Sequence, residues 1–125
     1  MKRIIATPNA PAAIGPYSQA VEVNGTLYIS GQLPVNPATG KIDATTAREQ
    51  AEQSLKNVGA ILEAAGYAYT DVVKSTVFLA SMEYFAEMNE AYKAVYTSEF
   101  PARSAFAVKE LPLGALVEIE TIAAK

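Results

Sequence analysis

TAREQAEQSLKNVGAILEAAGYAYTDVVKSTVFL, residues Thr46–Leu79, decides the fold because it joins one long amphipathic helix to one β-strand. Thr46 and Glu49 have the spacing of a capping box, and Gly66 is a residue type that ends helices. Val72–Leu79 is rich in β-branched residues and is predicted to be a central strand. The apolar stripe of the helix, at helical period, consists of Ala47, Ala51, Leu55, Val58, Leu62 and Ala65.

A β-hairpin is predicted before this stretch. Its strands are Ser18–Val23 and Thr26–Ser30, and Asn24-Gly25 between them suits a tight type I′ turn. Arg3–Ala6 is a candidate for one more short strand. Alternation along the second strand predicts a polar face of Tyr28, Ser30 and Gln32 and an aliphatic face of Leu27, Ile29 and Leu33.

A second helix and two strands are predicted after the stretch. Ser81 can cap the helix, and Pro101 forbids its continuation. Ala102–Val108 and Leu116–Ala123 are the last two predicted strands. The residues of this helix that are predicted to face inward are Phe85, Met88, Tyr92 and Val95.

These elements predict one α+β domain that covers residues 1–125. Its two helices can cover only one face of the sheet, although the other face also carries apolar side chains. The chain is 50% hydrophobic and only 18% charged, against roughly 25% charged residues in average domains. A second subunit is therefore expected to cover the remaining face.

The composition excludes several kinds of chemistry. The chain has no histidine and no cysteine, which rules out disulfides, thiolate nucleophiles, histidine-based triads and the usual zinc sites. No cluster of acidic loop residues suggests a site for a hard cation, so no metal is expected. The side chains left for proton transfer are those of Asp, Glu, Lys and Tyr.

The charge and hydropathy patterns indicate which partners and which cellular location to expect. The net charge is -3, the pI is about 4.9, and no Lys/Arg cluster is present, so binding of nucleic acid is not expected. No apolar run approaches the length of a membrane span or of a signal-peptide core. A cytoplasmic protein is the expectation.

Arginine and glutamate are the strongest candidates for chemistry. Arg103, at the start of a strand, could hold a carboxylate through two parallel hydrogen bonds, or it could be a hydrated edge-strand residue. Glu118 and Glu120 share one strand face by their spacing. A partly buried glutamate could move protons at this site, or both could be solvated surface carboxylates.

Three further positions could contact a ligand. Tyr17 ends a proline-stiffened loop and could close a small pocket or simply pack. Gly31 follows Ser30 at a strand end, where it would leave backbone groups accessible. Asn89 is a polar residue among apolar ones and could bind a ligand or face solvent.

Six segments together resemble the Rid (reactive intermediate deaminase) family, specifically its RidA group. The resemblance covers essentially the whole chain, and the six segments in order are highly specific. They are Asn9–Gln19, Ser30–Pro37, Lys74–Phe78, Phe85–Asn89, Phe100–Ser104 and Val117–Glu120.

The resemblance implies a fold, an assembly and an activity. The fold is chorismate-mutase-like, with a mixed sheet and two helices on one face, assembled as a homotrimer with three pockets between subunits. The activity is cofactor-independent hydrolysis of enamines and imines, such as those derived from 2-aminoacrylate, to 2-keto acids and ammonia.

The resemblance also assigns the site residues. Arg103 falls on the position that anchors the substrate carboxylate, and Glu118 on the catalytic glutamate of the family. Tyr17 and Asn89 fall on ligand-facing positions. Ser30 and Gly31 also fall on the pocket, where Gly31 would offer its backbone to the substrate.

Ala105 stands where many RidA proteins have cysteine, and Phe106-Ala107 replaces a common Val-Glu. If this position acts through its backbone carbonyl, which would hold the attacking water together with Glu118, Ala105 is tolerable; if the thiol itself mattered, this protein would be impaired. Phe106 leaves the pocket shape and the preferred substrate open. Two alternatives to the deaminase stay open: a non-catalytic sensor of small carboxylates, and the endoribonuclease or translation inhibitor that members of this family have been called.

Overall fold

The computed structural model describes all residues from Met1 to Lys125. The order of elements agrees with the prediction, including the short N-terminal strand. The helices are α1 (Ala47–Ala65) and α2 (Phe85–Val95). The strands are β1 (Arg3–Ile5), β2 (Ala20–Val23), β3 (Thr26–Gln32), β4 (Val72–Leu79), β5 (Ala102–Ala107) and β6 (Val117–Ala124).

Local signals determine where α1 begins and ends. The Thr46 hydroxyl accepts a hydrogen bond from the Glu49 backbone N–H at 3.2 Å and donates to the Glu49 carboxylate at 3.1 Å. Gly66 ends the helix with a left-handed φ of 84°, a conformation that glycine adopts without steric cost. The predicted apolar stripe is entirely buried, from Ala47 to Ala65. The N-cap at Thr46, the stripe and the stop at Gly66 are thus confirmed, but the Glu49 carboxylate bonds to the Thr46 hydroxyl instead of the Thr46 N–H, so the full capping box does not form.

The six strands form one mixed sheet in the order β1-β2-β3-β6-β4-β5. Only β4 and β5 pair in parallel; all other neighbours are antiparallel. The hairpin turn between β2 and β3 has positive φ at both Asn24 (50°) and Gly25 (79°), as a type I′ turn requires. No helix is both long enough and apolar enough to cross a membrane.

The core lies between the two helices and one face of the sheet. Leu55 and Val58 of α1 and Met88 of α2 are almost fully buried against strand residues such as Val77 and Ile119. The opposite face of the sheet is called here the open face. Along each strand, the residues of the open face alternate with the residues buried against the helices. Large apolar side chains remain exposed on it, among them Ile4, Tyr28 and Phe106.

The structure corrects the predicted alternation in β3. The register with β6 shifts between Ile29 and Gln32, which is a β-bulge, so the side-chain order is reversed beyond this point. Gln32 is therefore buried instead of sharing the polar face with Tyr28, and its amide donates to the Ser30 carbonyl at 3.1 Å.

The other differences concern the bounds of elements: β1 and β5 end one residue earlier than predicted, β3 continues to Gln32, and β6 is shifted by one residue to Val117–Ala124. β2 starts at Ala20, and the buried Gln19 side chain before it bonds to the N-terminal loop, accepting from the Thr7 N–H at 2.7 Å and donating to the Pro11 carbonyl at 2.8 Å. Ser81 caps a short 3-10 turn, and α2 follows directly after it.

Candidate active site

Arg103 lies on the edge strand β5, with its side chain on the face covered by α2. Its Nη1 donates to the Asn89 Oδ1 at 2.7 Å and lies 4.0 Å from the Met88 sulfur. Its Cζ is 4.7 Å from the centroid of the Tyr92 ring and 5.6 Å from that of Phe85. The Nε and Nη2 groups make no hydrogen bond within the chain, so two adjacent donors are free to bind a planar anion.

The sequence places these groups together through the helical repeat. Phe85, Asn89 and Tyr92 are separated by four and three residues on α2, so they share the face that meets β5. Asn89 and Arg103 line a cleft of about 580 Å³, with Tyr96 and Phe100 among its walls. Arg103 is thus exposed on an edge strand, as the alternative of a hydrated residue expects, but one of its nitrogens is held by Asn89.

Glu118 lies on the open face of β6, directly opposite Phe78 of β4. Partial burial raises the pKa of its carboxyl, and the negative charge of Glu120 raises it further. The carboxylate packs over Gly31 so closely that a Cβ at that position would lie 2.7 Å from the Glu118 Oε2. The glycine therefore makes room for the glutamate, a role that the sequence did not indicate.

Tyr17 and Ser30 lie on the same side of the sheet as Glu118. Both line an open cavity of about 550 Å³ together with Glu120. The Ser30 hydroxyl donates to the Ser18 carbonyl at 2.7 Å, which ties the preceding loop to β3. Tyr17 is 53% exposed, so it does not simply pack into the core.

Ala105 contributes backbone rather than side chain. Its methyl group packs against the core. Across the β4–β5 pair, the Val108 N–H bonds to the Leu79 carbonyl at 2.9 Å. Successive residues of a strand direct their backbone groups to alternate sides, so the carbonyls of Ala105 and Arg103 point to the free edge of the sheet. The Ala105 carbonyl is therefore available to an external group.

The predicted residues form two groups that a single chain does not bring together. Arg103 aligns with the buried Ser75, whereas Glu118 aligns with Phe78, three residues further along β4. An odd separation on a strand means opposite faces. The candidate residues Asn89, Arg103 and Ala105 thus lie on the helix side and are called here the arginine half-site. Tyr17, Ser30, Gly31 and Glu118 lie on the open face and are called here the glutamate half-site.

Sequence reasoning missed the aromatic contacts of Arg103. The helical pattern predicts Phe85 and Tyr92 only as inward-facing residues, although their spacing from Asn89 is a usable signal. Their proximity to Arg103 depends on how α2 docks on β5. No group of three or more acidic side chains is arranged to hold a metal ion.

Known proteins match this chain over nearly its whole length. The family model described as Endoribonuclease L-PSP matches residues 7–125. A 2-iminobutanoate/2-iminopropanoate deaminase of Capra hircus is 54% identical over 98% of this chain and 90% of its own. The solved structure of YyfA, a Yersinia pestis protein of the conserved Rid family, is 46% identical, covers all of both chains and has a TM-score of 0.97.

A further solved structure shares the fold and contains a ligand. Escherichia coli TdcF with bound serine is 44% identical over 98% of each chain, with a TM-score of 0.94. The family model and the full-length relatives agree with the resemblance found in the six sequence segments. The chain therefore belongs to the Rid family, whose family model carries the description Endoribonuclease L-PSP.

Proposed function

We propose that this chain is a cofactor-independent deaminase that hydrolyses reactive 2-imino acids to 2-keto acids and ammonia. The observation that carries the proposal is the state of Arg103, which is held by Asn89 through one nitrogen while its Nε–Nη2 edge stays free. That edge matches a carboxylate, the group common to all 2-imino acids. Relatives about half identical to this chain are named for the same reaction.

The reaction needs little beyond positioning and one proton carrier. Arg103 binds the substrate carboxylate and thereby fixes the C=N carbon. Water adds to this carbon while Glu118 takes a proton from the water and passes a proton to the nitrogen, which gives a carbinolamine. Glu118 then takes the hydroxyl proton and returns a proton to the amino group, so that the C=O bond forms as the C–N bond breaks and ammonia leaves. The raised pKa of the Glu118 carboxyl suits this exchange, because a group transfers protons best when its pKa is closer to the ambient pH.

The remaining pocket residues have supporting roles in this proposal. The Ala105 carbonyl, on the free edge of β5, accepts a hydrogen bond from the attacking water. Tyr17 closes the pocket against bulk solvent, and Ser30 and Gly31 line its floor, where Gly31 offers its backbone to the substrate. Asn89 contacts the substrate beside Arg103. Because only a backbone carbonyl is required at position 105, the cysteine that many relatives carry there is not essential to this mechanism.

The separation of the half-sites supports an assembly of several copies. Arg103 and Glu118 lie on opposite faces of one sheet, so a site that contains both requires a second copy of the chain. We propose a cytoplasmic homotrimer of single RidA-like domains, with a chorismate-mutase-like fold and three pockets between subunits. The exposed apolar residues of the open face support such burial.

Direct assays test the proposal. Freshly generated 2-iminobutanoate should be hydrolysed faster in the presence of the protein, and Arg103→Lys should lose about 2–4 kcal/mol of transition-state binding. In a separate variant, Glu118→Ala should abolish most of the rate acceleration over the uncatalysed hydrolysis. Near-normal rates in either variant would refute the role of that residue.

The family description favours testing an endoribonuclease as the second candidate function. RNA cleavage that co-purifies with the protein and disappears in the same two variants would support this candidate. Binding of 2-keto acids without any turnover of the imine would instead support a non-catalytic sensor.

A further inference from the structure

We propose that Tyr92 is a positioning residue for Arg103, and that its ring holds the guanidinium so that the Nε–Nη2 edge faces the ligand carboxylate. This inference rests on the proposed function, because it takes Arg103 as the carboxylate anchor. Tyr92 itself need not touch the substrate. Its contribution is to restrict an arginine that would otherwise sample many conformations.

Arg103 needs such restraint because of where it lies. It is exposed on an edge strand, and β5 has a neighbour on only one side. A free arginine side chain of this kind loses considerable rotamer entropy when a ligand orders it. Three contacts order it in advance: the hydrogen bond to Asn89 and the two aromatic rings of Tyr92 and Phe85.

The contacts occupy some N–H donors of the guanidinium and leave others free. Asn89 occupies Nη1 at 2.7 Å, and the Tyr92 ring lies against the group with its centroid 4.7 Å from Cζ. A ring at this distance attracts the cation without using any N–H donor. Nε and Nη2 therefore stay available as a parallel pair, which is the geometry of a bidentate carboxylate contact.

Tyr92 is itself rigid, as a support must be. The residue is only 6% exposed, and its ring lies 4.6 Å from that of Tyr96, which is 4% exposed. Tyr96 in turn meets Tyr69 edge-to-face at 5.7 Å. This aromatic row connects the support of Arg103 to the hydrophobic core, so the position of the guanidinium is coupled to core packing.

The ring rather than the hydroxyl of Tyr92 makes the contact with Arg103. The hydroxyl is buried, and although the Ser75 hydroxyl is a polar neighbour, the pair does not meet ordinary hydrogen-bond geometry. Replacing Tyr92 with Phe keeps the ring and removes only this group. Tyr92→Phe is therefore the matched control for Tyr92→Leu, which removes the aromatic face.

The experiment compares a charged ligand with a neutral one. Kd values for 2-oxobutanoate and for 2-oxobutanamide are measured by calorimetry on the full-length wild type, Tyr92→Leu and Tyr92→Phe. Tyr92→Leu should bind the acid about fivefold more weakly, since a cation–π contact at an exposed arginine is lost, and should bind the amide within about twofold of wild type. Tyr92→Phe should stay within about twofold for both ligands.

A double-mutant cycle with Arg103→Lys separates positioning from general damage to the fold. Once the arginine is gone, Tyr92→Leu should cause little further loss of acid binding. If Tyr92→Leu does not fold, Phe85→Leu tests the same face of the pocket, with an expected loss of about threefold for the acid alone.

Specific results would overturn the inference. The first is acid binding equal to wild type in Tyr92→Leu, or in Phe85→Leu where that variant replaces it. The second is an equal loss of affinity for the acid and the amide, and the third is a loss in Tyr92→Phe as large as that in Tyr92→Leu. The fourth is full additivity of the binding losses of Tyr92→Leu and Arg103→Lys. A wild type that neither binds 2-oxobutanoate nor hydrolyses 2-iminobutanoate would instead refute the proposed function, on which this inference depends.

Discussion

Mixing two inactive variants should restore activity if each site takes Arg103 from one subunit and Glu118 from its neighbour. Arg103→Lys removes the bidentate anchor but leaves the glutamate half-site intact, and Glu118→Ala does the reverse. The two residues lie on opposite faces of the same sheet, as their register with β4 demands. Neither variant alone can therefore form a complete site in any cyclic assembly of identical copies.

The expected recovery follows from random assembly. In an equimolar mixture, a site is complete when its arginine comes from a Glu118→Ala chain and its glutamate from an Arg103→Lys chain. Each condition holds for half of the positions, so about one quarter of all sites should be wild-type in composition. The restored kcat should therefore approach about one quarter of the wild-type value per chain, with KM unchanged.

The assay co-refolds the two variants and follows ammonia release from freshly generated 2-iminobutanoate. The double variant carrying both substitutions, co-refolded with each single variant, is the control, because these mixtures form no complete site. Light scattering on the same samples verifies that they assemble equally. Activity of the mixture that does not exceed the two single variants, in samples that do form mixed oligomers, would refute the shared-site reasoning.

Three further perturbations have defined outcomes. Glu120→Gln removes a like charge that raises the pKa of Glu118, so the acidic limb of the kcat/KM–pH profile should move to lower pH; an unmoved limb would show that Glu118 does not control it. Hydrogen bonding to Arg3 lowers the pKa of Glu22 below 4.5, so its stabilising effect is present above that pH and is lost as the pH falls through the lowered value. Glu22→Gln should therefore flatten the dependence of Tm on pH in this acidic window, and parallel Tm curves would contradict the effect. Gly31→Ala should displace the flexible end of Glu118 and lower kcat while Tm stays nearly constant, and unchanged kcat would contradict the contact.

Much of the fold was predictable because its signals are local. The side-chain cap at Thr46 and the left-handed stop at Gly66 bound α1 within the chain's own sequence. Asn24-Gly25 likewise determines the hairpin, since few other residue pairs adopt positive φ twice in succession. The shared face of Glu118 and Glu120 follows from strand periodicity alone. Such features need no information about distant residues.

Only the tertiary structure decided how the site is divided. The bulge that buries Gln32 lies in the pairing of β3 with β6, and no local sequence pattern predicts it. The opposite orientation of Arg103 and Glu118 depends on the register of three strands that are distant in sequence. The contact of Tyr92 with Arg103 exists because α2 docks beside β5. The sequence by itself determined which residues carry charge and how each segment folds, whereas pairing and docking over long range decided which of those residues can meet.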